Sequence, residues 1–310
     1  MTFNEEVKDN LSKIIIEDSL EVEAELYACL QSAMCIVMKG RGKIELRLDN
    51  DNASICRRLY KHFKSLFSYT PLLTHIESDQ FGKNTLYRLV IDDDELCRHI
   101  LNYFSLVDLS FGFEKMSVIQ EQFIQTEEMY SAYLRGVFLM CGYISDPRKM
   151  YRIDFSFDND YYAKEFSSLI EKRSDTQLLS RGKSSKTNLY VKKAEQVSTL
   201  IALMGDYKSM LVLENKMAQK EMNNKLQRII NCETSNIDKV INVAQSQIFA
   251  INKIINKRGL SSLPEHLIKA AQLRLDNPEL SLNAMAEIGE ISRSTLNKQL
   301  NKIKEIADSL

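Results

Sequence analysis

The sequence has 310 residues, 44% of them hydrophobic and 27% charged, which is enough to bury cores for two domains of ordinary size. Lys and Arg number 41 against 42 Asp and Glu, a formal net charge of −1, so any grip on nucleic acid must come from local clusters of cations. No apolar run reaches the ~18 residues of a membrane span, and Met1 to Glu6 has neither the basic nor the apolar stretch of a secretory signal, so the expectation is a cytoplasmic protein without a membrane partner. The six cysteines (29, 35, 56, 97, 141 and 232) form no CxxC pair, and each sits in an apolar-periodic stretch, which reads as reduced core residues. The four histidines have no partner at ligand spacing, so no metal and no other cofactor is expected.

In chain order, residues 5–16 read as a short amphipathic helix. A second helix runs from about Leu20 to Ala33, and its small and apolar residues cover most of its circumference, so it should be buried. Strands follow at 35–38 and 44–48, turned by Gly40-Arg41-Gly42. Asn52 is a plausible N-cap for a helix to about Phe67. A second hairpin, from Pro71 to Ile76 and from Thr85 to Ile91, turns around Phe81-Gly82-Lys83-Asn84, and Asp92-Asp93 opens a helix to about Phe104. The pattern then recurs: a helix from Met129 to Cys141, strands at 142–145 and 151–157 joined by Asp146-Pro147-Arg148, and a helix capped by Asp158 or Asn159. Strands at 177–180 and 187–191 flank Arg181-Gly182-Lys183, and Ala194 to Met204 is helical again. Helix–β–β–helix–β–β–helix thus occurs twice, which marks an internal duplication. From Asp206 no strand signal remains. Residues to about Arg258 read as long helices broken near Asn231-Cys232-Glu233. After the turn Gly259 to Pro264, three short helices are expected at 265–275, 282–288 and 293–307.

The duplicated unit resembles the LAGLIDADG homing endonucleases. Leu134-Arg135-Gly136-Val137-Phe138-Leu139-Met140-Cys141-Gly142 is a weak form of their motif, with Leu26 to Met34 as its counterpart. In those enzymes two motif helices cross closely, and Gly136 and Ala28 are the small residues such a crossing needs. The resemblance also says that an acid at the penultimate motif position of each helix holds a divalent metal, a task for hard oxygen ligands. Here those positions are Ala33 and Cys141, so no nuclease activity is expected.

Over the whole chain the sequence resembles the bacterial WhiA family, which joins a degenerate LAGLIDADG-like domain to a C-terminal helix-turn-helix. Tyr133 to Leu139 looks like the second motif helix of that family, and Arg228 to Asn236, with its Asn-Cys-Glu-Thr run, like the segment before the helix-turn-helix. Leu263-Pro264, residues 271–274 and Ser281-Leu282 match the lead-in, and Ser292-Arg293-Ser294, Leu296-Asn297 and Leu300 match the recognition helix. The sequence departs from the pattern at Met34, where the family has glycine, and in the short turn Gly289-Glu290-Ile291. Gln299 and Asn301 stand where basic residues are common.

The fold expected is therefore α+β. It comprises a duplicated αββαββα LAGLIDADG-like body over 1–205, with repeats at about 18–104 and 128–205, then a helical connector over 206–258, then an all-α helix-turn-helix domain over 259–310. The resemblance implies a non-catalytic, sequence-specific DNA-binding regulator tied to sporulation septation, cell division and chromosome segregation, associated with the nucleoid. Double-stranded DNA is its implied partner, with RNA polymerase or another regulator as a further candidate. In a helix-turn-helix the second helix enters the major groove and its early side chains reach base edges. Ser292 would cap it, Arg293 could read guanine or bind phosphate, and Ser294, Thr295, Asn297 and Lys298 suit base or phosphate contact, while Leu296, Leu300 and Ile303 form a core face. A second DNA surface is expected on the hairpins, at Arg41, Lys43, Arg181, Lys183 and Lys186. The competing reading is an interaction scaffold with weak or no DNA binding. Residues 264–310 hold six Lys and Arg against seven Asp and Glu, and basic turns also serve solubility.

Overall fold

Residues 1–78, 84–108, 113–183 and 186–310 are described by a computed structural model of the chain. Helix α1 (Phe3–Ser12) opens with a capping box between Thr2 and Glu5. The first repeat is α2 (Ser19–Ala33), β1 (Cys35–Gly40), β2 (Lys43–Asn50), α3 (Ala53–Phe67), β3 (Leu72–Ser78), β4 (Asn84–Ile91) and α4 (Asp94–Tyr103). A two-stranded ribbon, β5 (Val107–Asp108) with β6 (Glu114–Lys115), leads to the second repeat. That repeat is α5 (Glu127–Cys141), β7 (Gly142–Ile144), β8 (Ile153–Phe157), α6 (Asp160–Ser174), β9 (Leu179–Lys183), β10 (Lys186–Val191) and α7 (Ala194–Met204).

The duplication extends to the capping chemistry. Asn52 starts α3 by accepting from the amide of Ser54 at 2.8 Å, and Asn159 starts α6 by accepting from those of Tyr161 and Tyr162 at 2.9 and 3.0 Å. Both helices end on a left-handed residue, Ser68 and Asp175. Each repeat folds its strands into an antiparallel sheet of the same order, β1-β2-β4-β3 and β7-β8-β10-β9. Alternation along β2 buries Ile44, Leu46 and Leu48 and turns Arg47 and Asp49 to the other face. The register sets Leu46 against Ile91 and Leu48 against Leu89.

The two repeats meet through α2 and α5. A Cβ added to Gly136 would lie 2.6 Å from the Glu25 carbonyl oxygen and 2.8 Å from the Ala28 Cβ, so only glycine permits this approach. Ala28 thus faces Gly136, as the motif predicts. Glu25, fully buried beside this crossing, is bound by two arginines. Arg58 of α3 grips it with two nitrogens, and Arg135 of α5 donates to Oε2 at 2.6 Å. His62 Nε2 lies 3.0 Å from Oε1. The arginines also reach backbone: Arg58 donates to the Ile14 carbonyl at 2.5 Å and Arg135 to that of Met204 at 3.0 Å.

After α7 comes α8 (Tyr207–Arg258), a single 52-residue helix. The break expected near Asn231-Cys232-Glu233 is absent. No glycine or proline occurs between 207 and 258, and the polar side chains bond along the helix, Gln227 to Asn231 at 2.9 Å and Asn236 to the Cys232 sulfur at 3.9 Å. Three helices follow, α9 (Glu265–Asp276), α10 (Leu282–Ile288) and α11 (Arg293–Asp308). Their core draws on the end of α8, where Ala250, Ile251 and Ile254 are buried with Leu267, Met285 and Leu300. By contact density the chain divides into two units, Met1–Gln219 and Lys220–Leu310.

Two other expectations are corrected. Arg181-Gly182-Lys183 is not a turn but the end of β9, where Gly182 pairs with Thr187 and Lys183 with Lys186; the residues between the strands, like Phe81-Gly82-Lys83 of the other hairpin, lie outside the described residues. Cys29, Cys56 and Cys97 are buried, but Cys35 and Cys232 are exposed. Cys35 points to the open face of its sheet, paired with Arg47, and Cys232 lies on an exposed stretch of α8.

Two measurements test the crossing. Gly136→Leu should destabilise the protein by about 1–3 kcal/mol or more through overpacking, read from urea denaturation; an unchanged midpoint would show that the helices do not approach closely there. Glu25→Gln leaves two buried arginines without their counter-ion and should cost about 3–5 kcal/mol. Burial by itself would raise the Glu25 carboxyl, but the hydrogen bonds from Arg58 and His62 and the charge of Arg135 outweigh it and hold the group well below its usual 4.5. Because the folded-state value is depressed, this stabilisation is complete above 4.5 and is lost as pH falls below it. Wild type should therefore lose stability more steeply than Glu25→Gln on acidification.

Candidate nucleic-acid interface

In the C-terminal unit, α10 and α11 are joined by Gly289, Glu290 and Ile291. A Cβ on Gly289 would come within 2.8 Å of the Leu273 side chain, and Glu290 takes a left-handed φ of 51°, so this turn packs tightly against α9. Ser292 caps α11: its hydroxyl accepts from the Thr295 amide at 3.1 Å and lies 2.9 Å from the Ser294 hydroxyl and 2.8 Å from that of Thr295. Leu296, Leu300, Ile303 and Ala307 are buried, whereas Ser292, Arg293, Ser294, Thr295, Asn297 and Lys298 are all exposed. One face of α11 is thus core, and the residues picked from the sequence share the open surface of its first turns. Free N–H groups and the helix dipole make that end attractive to phosphate.

Charge is distributed less simply than composition implies. Arg274 is 1% exposed and donates to the Leu280 carbonyl at 2.9 Å, tying the loop between α9 and α10; it is a structural arginine and cannot reach DNA. Lys269 pairs with Glu265 at 3.0 Å and Lys302 with Glu305 at 2.9 Å. Among the described residues of α9 to α11, Arg293, Lys298 and Lys304 are the exposed Lys and Arg side chains without an ion pair. Exposed Glu287 and Glu290 lie beside them.

The hairpin residues belong to the other unit, Met1–Gln219. Arg41 sits in the β1–β2 turn with a φ of 52°, between Gly40 and Gly42 at positive φ, and both it and Lys43 are exposed. Arg181 is exposed on β9, and Lys183 is that strand's last residue. Lys186 begins β10 and pairs with Asp158 at 3.0 Å. Ion pairs also cover the open faces of the two sheets. Lys39 and Arg47 both bind Glu45, Arg88 takes Asp49 with two bonds of 2.7 Å, and Arg152 binds Asp154 while lying over the Tyr190 ring. A surface neutralised in this way offers few free cations to phosphates. Arg58 and His62 are buried on Glu25; they lie i, i+4 along the face shared with Ile55 and Leu59.

At the ends of the motif helices Ala33 has no donor atom, and Cys141 sits against the Ser32 carbonyl at 3.6 Å. Burial pushes its thiol up to about 11, so it is neutral near pH 7 and a poor ligand for a hard divalent ion. Asp146 is the turn residue expected, bonded to the backbone and guanidinium of Arg148.

Comparison with known proteins agrees along the chain. The model of the WhiA N-terminal LAGLIDADG-like domain matches residues 21–107, the WhiA LAGLIDADG-like domain residues 130–223, and the WhiA C-terminal HTH domain residues 226–307. A probable cell division protein WhiA of Thermoanaerobacter pseudethanolicus is 35% identical, covering 100% of this chain and 98% of its own. A Clostridium tetani relative of the same name is 32% identical with the same coverage. The crystal structure of full-length WhiA from Thermotoga maritima superposes with a TM-score of 0.61 at 20% identity, over 100% of this chain and 99% of that one; at that identity it speaks for the fold. No described helix is long and apolar enough to cross a membrane.

Incubated with supercoiled plasmid and Mg²⁺ or Mn²⁺, the protein should leave the DNA uncut. Cleavage that copurifies with it and disappears on Asp146→Asn would assign that turn carboxylate a catalytic role.

Proposed function

Since the chain belongs to the WhiA family, we propose that it is a non-catalytic, sequence-specific DNA-binding regulator acting in cell division, with sporulation septation and chromosome segregation as the wider processes it serves. The observation that carries this reading is the exposed start of α11, where Ser292, Arg293, Ser294, Thr295, Asn297 and Lys298 surround a capped helix N-terminus while Leu296 and Leu300 anchor the opposite face. We assign base reading to Arg293 and Asn297, whose side chains have the donor and acceptor patterns that suit guanine and adenine edges. Ser292, Ser294, Thr295 and Lys298 are assigned to phosphate and flanking contacts. Residues 259–310 serve as the reading module, residues 1–205 as the body, and 206–258 as the connector. Arg41, Lys43, Arg181, Lys183 and Lys186 add grip on the backbone without sequence information. The site of action is the nucleoid in the cytoplasm, with RNA polymerase or another regulator as the protein partner.

A second reading is favoured by the ion pairs on the sheet faces, which leave those faces little free positive charge. In that reading the chain is an interaction scaffold, and DNA affinity is weak or absent. Salt separates the two, because log affinity for DNA falls linearly with log salt in proportion to the phosphates neutralised.

The deciding experiment first maps the chromosomal sites the protein occupies, then titrates wild type and two variants on such a site and on random duplex at several salt concentrations. Replacing Arg293 and Asn297 by Ala should cost about 1–3 kcal/mol on the preferred site and much less on random DNA. Replacing Arg181, Lys183 and Lys186 should weaken both duplexes alike and flatten the salt slope by roughly one unit per lost phosphate contact. If only the hairpin variant loses specificity, the body reads the sequence. If neither duplex binds, the scaffold reading stands.

A further inference from the structure

In the first repeat, the segment joining α1 to α2 runs past one side of α3 and encloses with it a cavity of about 490 Å³. Two kinds of surface line it. One wall is apolar, built from Ile14, Ile15, Ile16 and Val22. The other is cationic, with Lys13 on the segment and Arg57, Arg58, Lys61 and His62 along α3, interleaved with serine hydroxyls including Ser54 and Ser65. No carboxylate belongs to the lining.

The nearby acids do not cancel this charge. Asp9 is taken by Lys13 at 2.5 Å, and Glu25 is enclosed by Arg58, Arg135 and His62. Arg57 makes a 3.2 Å hydrogen bond to the Ser54 hydroxyl but has no ion pair, and Lys61 has none among the described residues. Two exposed cations on successive turns therefore face the same space; Arg57 is near enough to Asp9 to help lower its carboxyl, while Lys61 has no ion pair among the described residues. The segment opposite them is held in place: Arg58 donates to the Ser12 and Ile14 carbonyls at 3.2 and 2.5 Å, so the cavity is preformed. Ile15 in its wall is 85% exposed, an apolar surface left open beside a cationic rim.

We propose that this cavity binds a phosphorylated small molecule of nucleotide size. Its phosphates sit on Arg57 and Lys61 with help from the hydroxyl of Ser65, and its planar apolar part covers Ile14, Ile15 and Ile16. The volume lies within the range of roughly 300–1,000 Å³ usual for such ligands. A polyphosphate supplies the missing negative charge, and charge-assisted hydrogen bonds from a guanidinium are the strong kind. A bare phosphate would leave the isoleucine wall wet, whereas a nucleoside alone would leave the cations unpaired. Both halves of the ligand are needed to match both surfaces.

Calorimetric titration of the full-length protein with ADP, inorganic pyrophosphate and adenosine, each alone, tests this. ADP should bind once per chain, pyrophosphate more weakly, and adenosine not measurably. The double variant Arg57→Gln, Lys61→Gln should lose about tenfold or more in ADP affinity, equivalent to about 1.4 kcal/mol. Ile15→Ser should weaken ADP and leave pyrophosphate unchanged. Ser65→Glu, which sets a carboxylate in the rim through an exposed position, gives an independent reading should the double variant fold poorly. Failure of ADP to bind at millimolar concentration overturns the proposal, as does ADP affinity untouched by these variants. If a DNA duplex displaces ADP and loses the same factor in the double variant, the patch is a DNA-backbone contact and the proposal also fails.

Discussion

The close crossing of α2 and α5 is the constraint on which the body depends. Two helices approach so nearly that position 136 admits only glycine, and the charged side chains at the crossing must then be satisfied without water. Glu25 solves this by collecting Arg58, Arg135 and His62. The arginines belong to different repeats, and their spare nitrogens bind carbonyls after α1 and at the end of α7. One carboxylate therefore joins both motif helices, α3, and two chain segments outside the strands. Buried ion clusters contribute little net stability over a well-packed apolar set, but losing a single member is costly. Such a cluster penalises alternative packings of two similar repeats, which apolar contacts alone distinguish poorly.

The same frame fixes where the motif helices end. Both pass directly into strands, through Met34 and Gly142 in extended conformation, and their last residues, Ala33 and Cys141, offer no hard oxygen donor from a side chain. The open sheet faces carry paired charges. Their cations are matched to carboxylates within the same sheet, Arg88 with Asp49 and Arg152 with Asp154. The sheet faces thus keep their own charge in balance, whereas the first turns of α11 set exposed cations without ion pairs beside a capped helix N-terminus.

Much of this was legible in the sequence, and the reasons are local. Asn52 and Asn159 announce α3 and α6, alternation in Ile44 to Leu48 marks a one-sided strand, and the small pair Ala28 and Gly136 marks the crossing. The helices of the C-terminal module begin and end within a residue or so of expectation, because Ser281 and Ser292 are strong caps. Errors arose where local chemistry was ambiguous. Asn231, Cys232 and Thr234 have modest helix propensity and read as punctuation, yet without glycine or proline nothing interrupts the hydrogen-bond ladder. Arg181-Gly182-Lys183 has the composition of a turn but is held in the strand by its pairing with β10. That Arg58 and His62 are buried could not be read from the sequence, because it depends on Glu25, a partner remote in the chain. Among the proposed contacts, the sequence supplied the face of α11, but it could not show that Lys186 is already paired with Asp158.

The long helix α8 carries one more consequence. Every residue from 218 to 239 is exposed, including Met222, Leu226, Ile229, Ile230 and Ile237, so this stretch is ordered by its own backbone ladder and by little else. Helices without tertiary support are only marginally stable in water. Amides here should exchange with solvent through local opening, long before those beneath Ile251 and Ile254, whose side chains lie in a core. Among the described helices the middle of α8 is then inexpensive to melt, and a protease or any binder of extended chain would find its substrate there while both flanking cores remain folded.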